Sequence, residues 1–145
     1  MTQPPTRVTA FVQYGVKLTG VVYVALGVIG FLPLDFINPM HAEGVGARYL
    51  INLVAINILH NVIHLAIGLP ALWAAQTFVN AQRWGKIAGG VLLGLFVVGM
   101  IQAALEGFPM DQSFLGLVPL NSPGHILHLT SGALLLYLGL IKAER

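Results

Sequence analysis

Four histidines and three asparagines stand out in this chain because they lie within apolar segments at helical spacing. One set shares a single face of a predicted helix and consists of Asn57, His60, Asn61, His64 and Gly68. A second set shares a face of another predicted helix and consists of Asn121, His125, His128 and Gly132. Neutral imidazole is a ligand of zinc, copper, iron and haem iron. The two faces therefore predict a cofactor or metal site between the two helices.

Three ligand arrangements agree with these positions. His64 and His128, on facing helices, could hold a b-type haem from both sides, with His60 and His125 nearby. All four histidines could instead bind a transition-metal ion directly, or a single imidazole could bind the magnesium of a chlorophyll. In each arrangement the asparagines would orient the imidazole rings.

The same residues also have a purely structural interpretation. Asparagine and histidine hydrogen-bond across transmembrane helices, at about 0.6 kcal/mol on average. Gly68 and Gly132 could leave room for a planar cofactor or permit close helix packing. The alternative function is thus a non-catalytic subunit of a larger membrane complex, or a homo-oligomer, in which the polar faces join the helices.

No Ser–His–Asp order, HExxH motif or phosphate-binding loop is present, so the sequence predicts no catalytic residues and favours a protein that is not an enzyme.

The composition indicates where these residues lie. Of the 145 residues, 57% are hydrophobic and 8% are charged, and none is cysteine. An average soluble domain carries about 25% charged residues, so the composition excludes a soluble enzyme and a nucleic-acid binder. The lack of cysteine excludes disulfides and thiolate metal sites. We therefore expect one domain, residues 1–145, in a lipid bilayer.

Four stretches are long and apolar enough to cross a hydrocarbon core about 30 Å thick. They cover residues 18–34, 50–75, 87–104 and 125–141. The predicted fold class is all-α, a bundle of four transmembrane helices. The connections between successive spans are short, so neighbouring helices run in opposite directions. The bundle would therefore consist of two helical hairpins.

The charged residues predict the orientation of that bundle. Six of the seven basic residues flank the same side of the four spans: Arg7, Lys17, Arg83, Lys86, Lys142 and Arg145. Four of the five acidic residues flank the opposite side: Asp35, Glu43, Glu106 and Asp111. The positive-inside rule then puts both termini in the cytoplasm, in a multi-pass protein of a bacterial cytoplasmic membrane.

The two polar helices also match each other along the chain. At a spacing of 64 residues, Asn57 pairs with Asn121, His64 with His128, and Gly68 with Gly132. A weaker match relates residues 30–35 to residues 107–111. The pattern predicts two repeated hairpins related by an axis along the membrane normal.

The polar run Asn57–Gly68, with its pattern N-x-x-H-N-x-x-H-L-x-x-G, resembles a family of small four-helix bacterial membrane proteins that is catalogued as a domain of unknown function. The segment Pro119–Asn121 followed by His128–Leu129 resembles the same family, and the likeness extends over most of the chain. It implies a membrane location and emphasises the positions of His60, His64 and His128, whereas His125 is a feature of this sequence. It implies no activity.

Overall fold

The computed structural model describes residues 6–32, 37–38, 44–107 and 111–142. Its four helices are α1 (Arg7–Ile29), α2 (Ile58–Ala74), α3 (Phe78–Glu106) and α4 (Ser122–Leu140). Short strands lie in the long connections: β1 (Ile37–Asn38), β2 (Arg48–Leu50), β3 (Val54–Ile56), β4 (Asp111–Phe114) and β5 (Val118–Asn121). The predicted four helices are confirmed, while the two small antiparallel sheets, β1-β2-β3 and β4-β5, were not expected.

Capping residues set where the helices begin. Asn57 and Asn121 are the N-caps of α2 and α4, and their side-chain oxygens accept the backbone N–H groups of His60 and Gly124. Thr77 caps α3 in the same way, so that helix begins nine residues before the span expected at residue 87. The stretch expected at residues 50–75 is helical only from Ile58, because residues 50–56 belong to the β2-β3 hairpin. Helix α1 begins at Arg7, ahead of the span expected at residues 18–34, whose last two residues lie outside the described part.

The two strand hairpins are built alike, at the same spacing of 64 residues. Leu50 pairs with Val54 in the first hairpin, and Phe114 pairs with Val118 in the second. Each turn contains two residues at positive φ: Ile51 (48°) and Asn52 (57°) in the first, Leu115 (53°) and Gly116 (71°) in the second. Paired positive φ values are typical of type I′ hairpin turns.

The helices pack as two antiparallel pairs, α1 with α2 and α3 with α4. Glycines allow their backbones to approach closely: a Cβ on Gly68 would lie 2.7 Å from the Val24 nitrogen, and one on Gly132 would lie 3.1 Å from the Leu93 nitrogen. Of the two roles expected for Gly68 and Gly132, the structure shows close helix packing.

The correspondence between α1 and α3 differs from the one expected. Gly30 packs against Asn61, and Gly99 packs against His125, which lies 64 residues after Asn61. Gly30 therefore corresponds to Gly99, not to residue 107. The predicted match of residues 30–35 with residues 107–111 followed a shared Gly-Phe pair, and residues 33–35 and 108–110 lie outside the described part.

By length and composition, α1 and α3 could each cross a membrane, and α2 is a shorter apolar helix; these findings concern the described residues. In the most apolar window of α1 only 33% of the residues are buried within the chain, and in that of α3 only 28%. Most of the apolar surface of both helices therefore faces outward.

Candidate metal centre

The polar faces of α2 and α4 meet inside the helix bundle. Because His60 and His64 lie one turn apart in α2, their rings project from the same side of the helix. His128 comes from α4. The three side chains are almost fully buried, with exposed fractions of 2%, 1% and 3% in chain order.

The three histidines form a compact cluster, which we call the histidine triad. One ring nitrogen from each of His60, His64 and His128 can be chosen so that all three atoms lie within 4.8 Å of one another. The ring centroids of His60 and His64 are 4.4 Å apart, and those of His60 and His128 are 6.2 Å apart. Imidazoles at these separations can converge on one ion, because zinc–nitrogen bonds are about 2.0–2.1 Å long.

A tyrosine from α1 holds the second histidine of the triad. The Tyr23 ring meets His64 edge to face, with centroids 5.2 Å apart and an interplanar angle of 89°. Its hydroxyl and that of Ser131 in α4 are 2.8 Å apart and share a hydrogen bond. Three helices thus converge on the triad, and Tyr23 restricts the orientation of His64.

Several ring nitrogens of the triad lack hydrogen-bond partners among the described residues. They are Nδ1 of His60, Nδ1 and Nε2 of His64, and Nδ1 of His128. Leaving a buried polar atom unpaired costs about 1–3 kcal/mol, and such atoms in folded proteins call for a water, an ion or a functional explanation. Each histidine of the triad thus has at least one ring nitrogen that is free to bind a metal ion.

His125, the fourth predicted ligand, is not a member of the triad. Its ring packs against Gly99 of α3, and neither ring nitrogen has a hydrogen-bond partner in the part of the chain described. Asn61 has the corresponding environment in the pair formed by α1 and α2. Its amide packs against Gly30 and has no hydrogen-bond partner among the described residues. The structure therefore brings together three of the four predicted histidines.

The other two asparagines bind backbone groups. The Asn57 amide donates to the carbonyl oxygens of Val45 (3.0 Å) and Leu117 (2.6 Å). The Asn121 amide donates to the carbonyl oxygen of Leu53 at 2.7 Å. These asparagines therefore connect the strand hairpins to the helices, and their bonds do not orient the imidazole rings as expected from the sequence.

A small apolar cavity adjoins the triad. Its volume is about 100 Å³, and its walls include His60 and His128 together with Ile63, Leu95 and Phe114. Pockets for organic cofactors usually have volumes of about 300–1,000 Å³. The space beside the histidines is thus suited to an ion or a very small molecule.

Comparison with known proteins identifies the family of the chain. A family model described as "Domain of unknown function (DUF4383)" matches residues 13–141. The chain belongs to the DUF4383 family. The match includes all four helices in large part and every residue of the triad. No curated protein and no solved structure matches the chain.

Sequence reasoning did not assign Tyr23, Ser131 or Phe114 to this DUF4383 site. The sequence indicates that Tyr23 and Ser131 can satisfy local or interhelical hydrogen bonds, and the bond between their hydroxyls is interhelical. Ser131 offered a clearer signal, because it lies three residues after His128 on the same face of α4. Phe114, which lines the cavity, gave no signal because it lies in an unpredicted hairpin.

Proposed function

We propose that this chain is a multi-pass membrane protein of four helices that binds one transition-metal ion through His60, His64 and His128. The observation that carries this proposal is the buried triad, whose ring nitrogens lie within 4.8 Å of one another. The metal would be the protein's functional group, used in electron transfer or in sensing.

The distribution of polarity supports a membrane location. Large apolar side chains are exposed on all four helices, for example Val21, Val62, Ile101 and Leu134. In the interior, by contrast, the buried residues include histidines, asparagines and Ser131. A protein in water would expose its polar groups, whereas lipid favours an apolar exterior with polar groups inside the bundle.

The positions of the charges support an orientation with both termini in the cytoplasm. The Gln13 amide donates to the Ala75 carbonyl oxygen and the Gln82 amide to that of Ile141, so the starts of α1 and α3 adjoin the ends of α2 and α4. Five exposed basic residues lie near this end of the helices: Arg7, Lys17, Arg83, Lys86 and Lys142. Arg145 and the acids Asp35 and Glu43, which also entered the sequence prediction, lie outside the described residues. The positive-inside rule assigns the basic end to the cytoplasm.

The donor set favours particular metals. Three neutral imidazoles suit Zn²⁺, copper, iron and nickel and disfavour Mg²⁺ and Ca²⁺, which prefer oxygen ligands. Three histidines also leave a coordination position open, as in catalytic and exchangeable sites. The cavity of about 100 Å³ beside His60 and His128 favours an ion over haem or chlorophyll, because a porphyrin would have to displace the packed helices.

Metal analysis of the purified full-length protein tests the proposal. The protein in detergent should contain about one equivalent of a transition metal, or take up Co²⁺ with visible absorption bands after removal of the native ion. His64→Ala and His128→Ala should each lose this binding. His125→Ala is the matched control, because it removes a buried histidine outside the triad and should retain the ion.

Acidification provides a second readout for the same protein. Metal binding requires neutral imidazole, so bound Co²⁺ should be released as the pH falls through the range in which histidine gains a proton. Co²⁺ that remains bound after His64→Ala and His128→Ala would contradict the triad. A purified protein with a Soret band would instead show haem, and one that binds neither ion nor haem would refute the proposal.

A second candidate function rests on the asparagines. Asn57 and Asn121 join the two halves of the chain through backbone bonds and need no ligand. A non-catalytic subunit of a larger membrane complex would use this framework alone. In that case the alanine variants of the triad would change thermal stability without changing metal content.

A further inference from the structure

The three rings of the triad are buried, so a metal ion needs a path through the protein to reach them. A second cavity, of about 490 Å³, lies toward the carboxyl-terminal end of α3, and we call it the outer cleft. Its walls include Gln102, Glu106 and Phe114. Phe114 also lines the small cavity whose walls include His60 and His128. One side chain is therefore shared by a cleft with an acidic wall and by the histidine cavity.

We propose that the outer cleft is the uptake route of the metal ion and that the Phe114 ring is the barrier between the cleft and the triad. This inference rests on the proposed metal-binding function. It assigns a capture role to Glu106, which lies on the wall of the cleft, and a gating role to Phe114.

The oxygen atoms of the cleft suit transient capture of a cation. Glu106 is exposed, and its carboxylate accepts from the Gln102 amide at 3.1 and 3.3 Å. A single exposed carboxylate binds divalent ions weakly and exchanges them quickly, whereas three convergent imidazoles bind transition metals more tightly. Transfer from the cleft to the triad would therefore be favourable.

Hydrogen bonds hold the backbone on both sides of Phe114, so its ring is the part that can move. Its backbone pairs with Val118, and the Asn57 amide holds the turn that follows through the Leu117 carbonyl oxygen. The Gln102 amide also reaches the Ser113 carbonyl oxygen at 3.4 Å, which joins α3 to β4. Rotation of a half-buried ring can open a path without unfolding the hairpin.

Kinetics of Co²⁺ loading into the metal-free full-length protein test this route. Phe114→Ala should raise the rates of both loading and release by about tenfold, which corresponds to about 1.4 kcal/mol in barrier height, and leave Kd nearly unchanged. Phe114→Trp should slow both rates. Phe96→Ala is the control, because Phe96 is also half-buried but lines neither cavity, and it should load at the wild-type rate.

The capture role of the cleft has its own test. Glu106→Gln should slow loading at low ionic strength, with a smaller effect at high salt, because it removes an attractive charge and leaves the triad intact. Wild-type loading rates in both Phe114 variants would overturn the route while leaving the metal site in place. If the wild-type protein binds no Co²⁺ at equilibrium, both the route and the proposed function are wrong.

Discussion

Asn57 and Asn121 each bind the strand hairpin that belongs to the other half of the chain. The Asn57 amide donates to the Leu117 carbonyl oxygen in the second hairpin, and the Asn121 amide donates to the Leu53 carbonyl oxygen in the first. Leu53 and Leu117 are themselves 64 residues apart, so the exchange is reciprocal. The same two side chains also cap α2 and α4. Two asparagines thus fix both the helix starts and the contact between the halves.

Removal of one asparagine should separate its two roles. Asn121→Ala loses the helix cap, worth about 0.5–2 kcal/mol, and the bond to Leu53. Asn121→Ser keeps an oxygen for the cap, but its side chain is too short to reach the Leu53 carbonyl oxygen. Thermal unfolding in detergent should therefore give the stability order wild type, Asn121→Ser, Asn121→Ala. Equal melting temperatures for the wild type and Asn121→Ser would show that the bond between the halves contributes nothing measurable.

Replacing a glycine on α3 by alanine should affect stability differently according to whether that glycine faces another helix or open space. A Cβ on Gly99 would overlap the His125 ring, while one on Gly94 would have no heavy atom within 4 Å. We expect Gly99→Ala to destabilise the protein by about 1–3 kcal/mol through overpacking. Gly94→Ala, the matched control, should be neutral or stabilising by up to about 1 kcal/mol, because alanine favours a helix over glycine.

The Gly99 prediction includes a rescue experiment. Combining Gly99→Ala with His125→Ala removes the ring that the new methyl group would meet, so the double variant should be more stable than the sum of the two single effects indicates. Free energies of unfolding measured for the four proteins of this cycle give the coupling directly. Strict additivity would contradict the contact between Gly99 and His125.

The sequence was sufficient to predict the helices and most of the site. Asn57, His60 and His64 have helical spacing, so their shared face followed from local rules, whereas the N-cap roles of Asn57 and Asn121 were not predicted. The repeat of 64 residues also placed His64 opposite His128, which the triad agrees with. The shared face depends on residues close in sequence, and the pairing of His64 with His128 depends on the repeat.

Other features depend on contacts that no local pattern encodes. The turn at Ile51 has positive φ at a β-branched residue, which is a rare conformation, so residues 50–56 resembled part of an apolar helix. The place of His125 depends on Gly99 in another helix. The outer cleft likewise requires the β4-β5 hairpin to lie against α3. Each of these follows from tertiary packing.

The proposed orientation can be tested with single cysteines, because the natural chain has none. Val45 is 72% exposed and adjoins the strand hairpins, while Gln76 is exposed in the turn between α2 and α3, at the basic end. With both termini in the cytoplasm, a membrane-impermeant maleimide should label Val45→Cys in intact cells. It should label Gln76→Cys only after the membrane is opened, and the cysteine-free wild type should stay unlabelled.

Labelling of Gln76→Cys but not Val45→Cys in intact cells would reverse the orientation, and equal labelling of both would contradict helices that cross the bilayer. Neither substitution alters a charge, so the result reports the native distribution of basic residues between the two ends of the bundle.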